Sequence, residues 1–143
     1  MREEIRAKLD DVILYLYHVI RSPLYPIDPY TIVRRVDQCR YITYDKLAAV
    51  SGSSYEDVVK ACHSLDGSTM YDPSTGRYLV AINTSKRRAA PRTRIRWTTA
   101  HELGHIAAGH FLELAERPDE GSRPSDFQDM EEEADYFAAS FLA

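Results

Sequence analysis

Ile5, Leu9, Val12, Ile13, Leu16, Val19 and Ile20 recur every three or four positions, and Arg2, Glu3, Arg6, Lys8, Asp10 and Asp11 fall mostly between them. That period predicts an amphipathic helix with one apolar face turned to a core. Ser22-Pro23 and Tyr25-Pro26 end it, because the residue before a proline is pushed out of the helical region. Asp28-Pro29 then reads as a helix start, with Asp as cap and Pro in the first turn. It opens a short helix over Tyr30 to Asp37 with Ile32, Val33 and Val36 inward. Arg40 to Tyr44 alternates and predicts a strand. Ser53-Ser54-x-Glu56 begins another helix carrying Val58, Val59 and Cys62, with His63 just beyond it as a surface or capping residue.

Ser68 to Tyr71 and Arg77 to Asn83 flank Asp72-Pro73-Ser74-Thr75-Gly76, a turn sequence between two short runs, and predict a hairpin. Tyr78, Val80 and Ile82 share one face of its second strand. Such a hairpin is either purely structural or an edge to which an extended peptide can add. Further on, Ile95, Trp97, Ala100, Leu103, Ile106 and Ala107 supply an apolar helix face, with Thr93 as its expected cap and Gly109 as its stop. Residues 116 to 129 form a polar connector interrupted by proline. A last helix is expected from near Asp129, with Ala134, Phe137, Ala138, Phe141 and Leu142 as its stripe.

Composition adds limits. At 143 residues, 44% apolar and 28% charged, the chain is expected to form one soluble domain. A net charge of −4 gives no general case for binding nucleic acid. The basic run Lys86, Arg87, Arg88, Arg92, Arg94 and Arg96 reads first as a solvated loop and second as a contact for an acidic or DNA-bound partner. Cys39 and Cys62 lack metal-ligand spacing and suit a reducing, cytoplasmic setting. The N-terminus opens Arg-Glu-Glu, its apolar run is broken by His18, and it is too short to span a bilayer, so neither a signal peptide nor a membrane anchor is expected.

The chemistry concentrates in Thr98-Thr99-Ala100-His101-Glu102-Leu103-Gly104-His105. Positions four apart on a helix differ by about 40° around the axis, so His101 and His105 project from one face and can reach one Zn²⁺. Glu102 is rotated about 100° from His101 and flanks the metal, where its carboxylate can take a proton from an attacking water. A two-histidine site requires a third ligand. The pattern HExxHxxGxxH would put Gly at 108 and His at 111. Ala108 and Phe111 stand there, with Gly109 and His110 one step out of place, so His110 is not expected to be that ligand. The carboxylate cluster on the last helix is the alternative. Projected from its stripe, Glu131 lies within about 50° of the stripe centre, Glu133 about 110° away and Glu132 nearly opposite. Glu131 is thus the ligand candidate. Asp135, one turn later on the same side, is placed to accept the second N–H of a metal-bound histidine.

Ile-Arg-Trp-Thr-Thr-Ala-His-Glu-Leu-Gly-His-Ile-Ala-Ala-Gly-His, followed by Glu-Glu-Glu-Ala-Asp-Tyr-Phe-Ala-Ala-Ser-Phe-Leu, resembles the ImmA/IrrE family of bacterial and phage zinc peptidases. The likeness is close over 94–110 and 131–142, loose over 28–83, and does not extend to residues 1–27. It implies a zincin-like fold, His101, His105 and Glu131 as Zn²⁺ ligands, and Glu102 as catalytic base. It also implies a protein substrate, a helix-turn-helix repressor encoded nearby; from the charge and the short apolar run, no direct nucleic-acid or membrane contact is expected. Family sequences usually continue beyond this segment, whereas this chain stops at Ala143.

The expectation is therefore a single α+β metallopeptidase domain over 1–143, with a short antiparallel sheet packed on the HExxH helix and on the helix of Glu131. The oxyanion donor is open among His110, the tyrosines and the arginines. The competing reading is a zinc-containing binding module that antagonises a DNA-binding regulator by contact. Glu102 argues against it, since a structural metal site has no need of a base.

Overall fold

The computed structural model describes residues 1–20, 28–115 and 124–143. In chain order the elements are α1 (Glu3–Ile20), α2 (Pro29–Arg35), β1 (Cys39–Thr43), α3 (Tyr44–Ser51), α4 (Tyr55–Cys62), β2 (Gly67–Asp72), β3 (Arg77–Ile82), α5 (Arg92–Ala107), α6 (His110–Ala115) and α7 (Pro124–Leu142). The domain is α+β, and its contacts group into two compact units, Asp28–Glu102 and Met1–Ile27 with Leu103–Ala143. The prolines expected to end α1 lie outside the described residues, as does most of the connector expected before the last helix.

The unit of residues 28–102 is built around a three-stranded sheet in the order β1-β3-β2. The turn Asp72–Gly76 closes the predicted hairpin: the Asp72 carboxylate accepts from the Ser74 amide at 2.9 Å, and Gly76 takes the left-handed conformation with φ 69°. β2 and β3 are antiparallel, with Thr69 opposite Val80. β1 runs parallel to β3, with Tyr41 opposite Val80. The expected all-antiparallel sheet is thus a mixed one. Only a hairpin forces neighbouring strands to oppose, and β1 reaches β3 through α3, α4 and β2, a connection long enough to return the chain in the same direction. As the central strand, β3 buries Val80, Ala81 and Ile82 together, where alternation alone assigned only one face to the core.

Local signals set the helices of this unit. Asp28 caps α2 by accepting from the Tyr30 amide at 3.0 Å, and Ile32 and Val33 are buried. Thr43 ends β1 and at once caps α3, accepting from the Lys46 amide. Ser54 and Asp57 form a reciprocal capping box at the start of α4. His63 ends α4 as a left-handed cap with φ 52°. The Tyr44 ring packs with Ala48, Val58 and Ala81, and its hydroxyl donates to the Ser64 carbonyl at 2.9 Å. Burial pushes the Cys39 thiol up to about 11, and both cysteines are free.

Members of the basic run are engaged within this unit: Arg87 pairs with Glu56, and Arg88 and Arg94 both pair with Asp66. The hydrogen bonds from Arg94, then Arg88, hold the Asp66 carboxyl down at about 2. A depressed carboxyl stabilises the fold above its unfolded range, so this contribution is present at neutral pH and lost as pH falls toward about 2.

In the other unit α1 lies against α7. Leu9 and Ile13 are buried, Tyr17 stacks on Phe141 and donates to its carbonyl at 2.7 Å, and Tyr136 donates to Asp10 at 2.6 Å. α7 begins at Pro124, five residues before the expected start near Asp129, with proline in the first helical position, where its missing N–H costs nothing. Met130, Glu133, Ala134, Phe137, Ala138 and Phe141 form its buried face. Among the described residues no helix is long and apolar enough to cross a membrane.

Candidate metal centre

α5 opens after Pro91, whose carbonyl accepts from the Arg94 and Ile95 amides at 3.1 Å, so Thr93 sits inside the first turn and is not the cap. The helix runs unbroken to Ala107 and carries both histidines of the motif. Ligand atoms of His101, Glu102 and His105 lie within 4.8 Å of one another, a group that could hold a metal ion.

Glu102 is buried, and one carboxylate oxygen accepts a 2.8 Å hydrogen bond from the Thr69 hydroxyl on β2. The other oxygen is the one left to handle a proton. Close approach makes this contact possible: a Cβ on Gly67, two residues before Thr69, would stand 2.9 Å from the Thr98 methyl on α5. A larger residue there would push the strand off the helix. Thr69→Val should leave the metal in place and lower turnover by about tenfold, the scale of one buried hydrogen bond to a carboxylate. Unchanged kcat with unchanged metal content would show that Glu102 needs no such support.

On α7, Glu131 Oε1 stands 3.2 Å from His105 Nε2. Two ligands about 2.0 Å from a shared tetrahedral centre are about 3.3 Å apart, so this pair fits the edge of a zinc site. A carboxylate oxygen and an imidazole lone pair repel at that distance unless a proton or a metal ion lies between them. Asp135 shares the exposed side of α7 with Glu131. The stripe projection erred on Glu133, which is fully buried, whereas Glu131 is 62% exposed at its side chain. Five apolar positions underestimate the width of the buried face because α7 has neighbours on two flanks, α1 on one and the end of α5 with α6 on the other.

Glu133 is satisfied by residues the motif does not contain. The Arg2 guanidinium donates to it through Nε at 2.9 Å and Nη2 at 2.8 Å, and His110 Nε2 lies 2.8 Å from its Oε1. Burial would raise the Glu133 carboxyl, but the hydrogen bonds from Arg2 and His110 outweigh it and hold the group below its usual range. Burial pushes the His110 imidazole down, with Glu133 partly opposing. The other His110 nitrogen, Nδ1, lies 2.9 Å from His105 Nδ1. Gly109 makes the approach possible: its φ of 75° ends α5 and turns the chain so that His110 points back at the preceding turn. With both nitrogens engaged and the ring 2% exposed, His110 is removed from the candidates for oxyanion donor.

A helix with paired histidines and an intervening glutamate, beside a small mixed sheet, defines a metallopeptidase-like α+β protein. The family model described as IrrE N-terminal-like domain, Peptidase_M78, matches residues 63–142, more than half of the chain, and the chain belongs to that family. No curated protein and no solved structure matches it. The match covers β2, β3, α5, α6 and α7, whereas Arg2 and α1 lie outside it.

Proposed function

We propose that the chain is a zinc-dependent endopeptidase of the cytoplasm, with His101, His105 and Glu131 as metal ligands and Glu102 as general base, acting on a helix-turn-helix repressor. The observation that carries the reading is the convergence of His101, Glu102 and His105 donor atoms within 4.8 Å on one helix. The 3.2 Å approach of Glu131 to His105 supports the third ligand. When bound, Zn²⁺ would lower the pKa of water toward about 7 and polarise the scissile carbonyl. Glu102 would take the proton of the attacking water and deliver it to the leaving amine. Thr69 would hold that carboxylate in place from β2.

Substrate would add to the outer side of β2. Among the described residues that strand pairs with β3 alone, so its outer main-chain groups suit an extended peptide. Since Thr69 touches Glu102, a peptide paired there would lie next to the base. Pairing with a strand demands an extended segment, which favours a linker or a labile helix of the repressor as the cleaved region. The repressor itself rests on family resemblance, and two free cysteines suit a reducing cytoplasm.

Metal analysis tests the ligand set. The purified chain should bind close to one equivalent of Zn²⁺, and His101→Ala, His105→Ala and Glu131→Ala should each weaken it. Loss of zinc from Glu132→Ala with full retention in Glu131→Ala would overturn the assignment.

A further inference from the structure

Backbone pairing goes one residue beyond β2: the Asp66 carbonyl accepts from the Asn83 amide at 2.9 Å, so Asp66 stays in line with the strand. A peptide laid along the outer side of β2 would pass Asp66 about 10 Å from Thr69, three residues at the strand rise. Two guanidinium groups meet there. Arg94, in the first turn of α5, donates to both Asp66 oxygens, through Nε at 2.9 Å and Nη2 at 2.8 Å, and Arg88 adds Nη2 at 3.1 Å. Two positive charges thus share a single negative one. Arg94 is 53% exposed, and Asp66 takes only two of its N–H groups. Arg88 is held by its own loop: its amide donates to the Ser85 carbonyl at 3.1 Å, and the Ser85 amide donates to the buried Asn83 at 3.2 Å. A loop ordered in this way loses little freedom when it binds a ligand.

We propose that Arg94, with Arg88 beside it, is a subsite for an acidic side chain of the substrate, about three residues to one side of the bond next to Glu102. The proposal rests on the metallopeptidase reading above and on peptide addition to β2, and it names the segment that site takes: extended, and acidic at one end. Charge balance argues for it. A second carboxylate would give each guanidinium a partner, and the arginine fork matches a carboxylate in shape. Phosphate fits the same fork, but a position at the end of a strand edge favours a side chain carried on an extended peptide. The net charge of −4 works in the same direction. It repels an acidic segment wherever acids outnumber cations, so the arginine end of β2 also fixes which way round the peptide lies.

The test presents a library of random peptides to wild type and, for binding alone, to immobilised Glu102→Gln, with cut or retained sequences read by mass spectrometry. Asp and Glu should be enriched about three residues to one side of the cut bond, and at one end of the retained peptides. Matched peptides with Glu or Gln at that position would then be compared on wild type, Arg94→Gln and Asp66→Asn, with melting curves to confirm folding. On wild type the Gln peptide should have a KM, or a dissociation constant, about fivefold higher, the scale of one partly exposed ion pair, with kcat little changed. Arg94→Gln should bring that ratio close to one. Asp66→Asn should raise it, because both guanidinium groups then face the substrate alone, whereas loss of a merely structural carboxylate would not. Absence of any acid preference, a ratio unchanged in Arg94→Gln, or a ratio lowered in Asp66→Asn would overturn the proposal. Stronger displacement of retained peptides by duplex DNA than by the free Glu peptide would also overturn it and assign the arginines to phosphate. If wild type cuts nothing while Glu102→Gln retains acidic peptides through Arg94, the subsite stands and the metallopeptidase reading fails. Cutting without acid preference gives the reverse. Peptides neither cut nor retained would sink the subsite, and zinc analysis would still judge the metal centre.

Discussion

Glu102→Gln should bind zinc like wild type, melt at the same temperature and fail to cut its substrate. Glutamine matches glutamate in shape, and its amide oxygen can still accept the 2.8 Å hydrogen bond from Thr69, so the side chain keeps its place between β2 and α5. What it loses is the ability to accept a proton from water. Removal of a positioned general base typically costs 10²–10⁴ in rate, or about 3–5 kcal/mol of barrier. The measurement is mass spectrometry of fragments from the repressor, with and without a chelator, beside release of that repressor from DNA. Wild type should give two defined fragments, and the chelator should stop it. Cleavage by Glu102→Gln at near wild-type rate would remove Glu102 as base. Release of the repressor by both proteins without fragments would establish a binding module instead.

The parts of this fold that were legible in the sequence are those whose partners lie a few residues apart. Asp28 caps the helix that begins one residue later, Asp72 closes its own turn, and Gly109 ends the helix it follows. His101 and His105 belong to the same class, since one helical turn fixes their spacing. What sequence reading missed depends on contacts from far along the chain. α3 follows β1 with no loop, so Thr43 serves both elements and leaves no punctuation between them. The parallel pairing of β1 depends on where the chain returns after three further elements. Thr69 looks like any strand threonine until β2 is laid beside α5. Glu133 projected about 110° from the stripe centre, and nothing near it in sequence pointed to its compensating charge, Arg2, which comes from the other end of the chain. One signal was available: a histidine directly after a helix-ending glycine is aimed back at the helix it leaves.

Gly104→Ala should destabilise the protein and weaken zinc binding together, although it replaces the poorer helix former with the best. In an exposed helix the change would gain about 1 kcal/mol. Here the added Cβ would stand 2.9 Å from both the Cα and the carbonyl oxygen of Ala134 and 3.1 Å from the Phe137 Cβ. Two of those atoms are backbone, so no side chain can swing aside, and relief requires α5 and α7 to separate. Overpacking of this kind costs about 1–3 kcal/mol and occasionally more. At this chain length each kcal/mol moves Tm by about 2–4 °C, so a net fall of several degrees is expected. The metal consequence follows from the neighbours: His105 is the next residue on α5, and Glu131 lies one turn before Ala134 on α7. Forcing the helices apart would lengthen the 3.2 Å approach of the two proposed ligands, and zinc affinity should drop with Tm. Gly52→Ala is the control: its φ of 67° imposes strain, no atom lies within 4 Å of the new Cβ, and it sits at the end of α3. That variant should lose stability and keep its zinc affinity. A Gly104→Ala protein that melted higher than wild type would mean that helix propensity outweighs the contact and that the two helices are free to adjust.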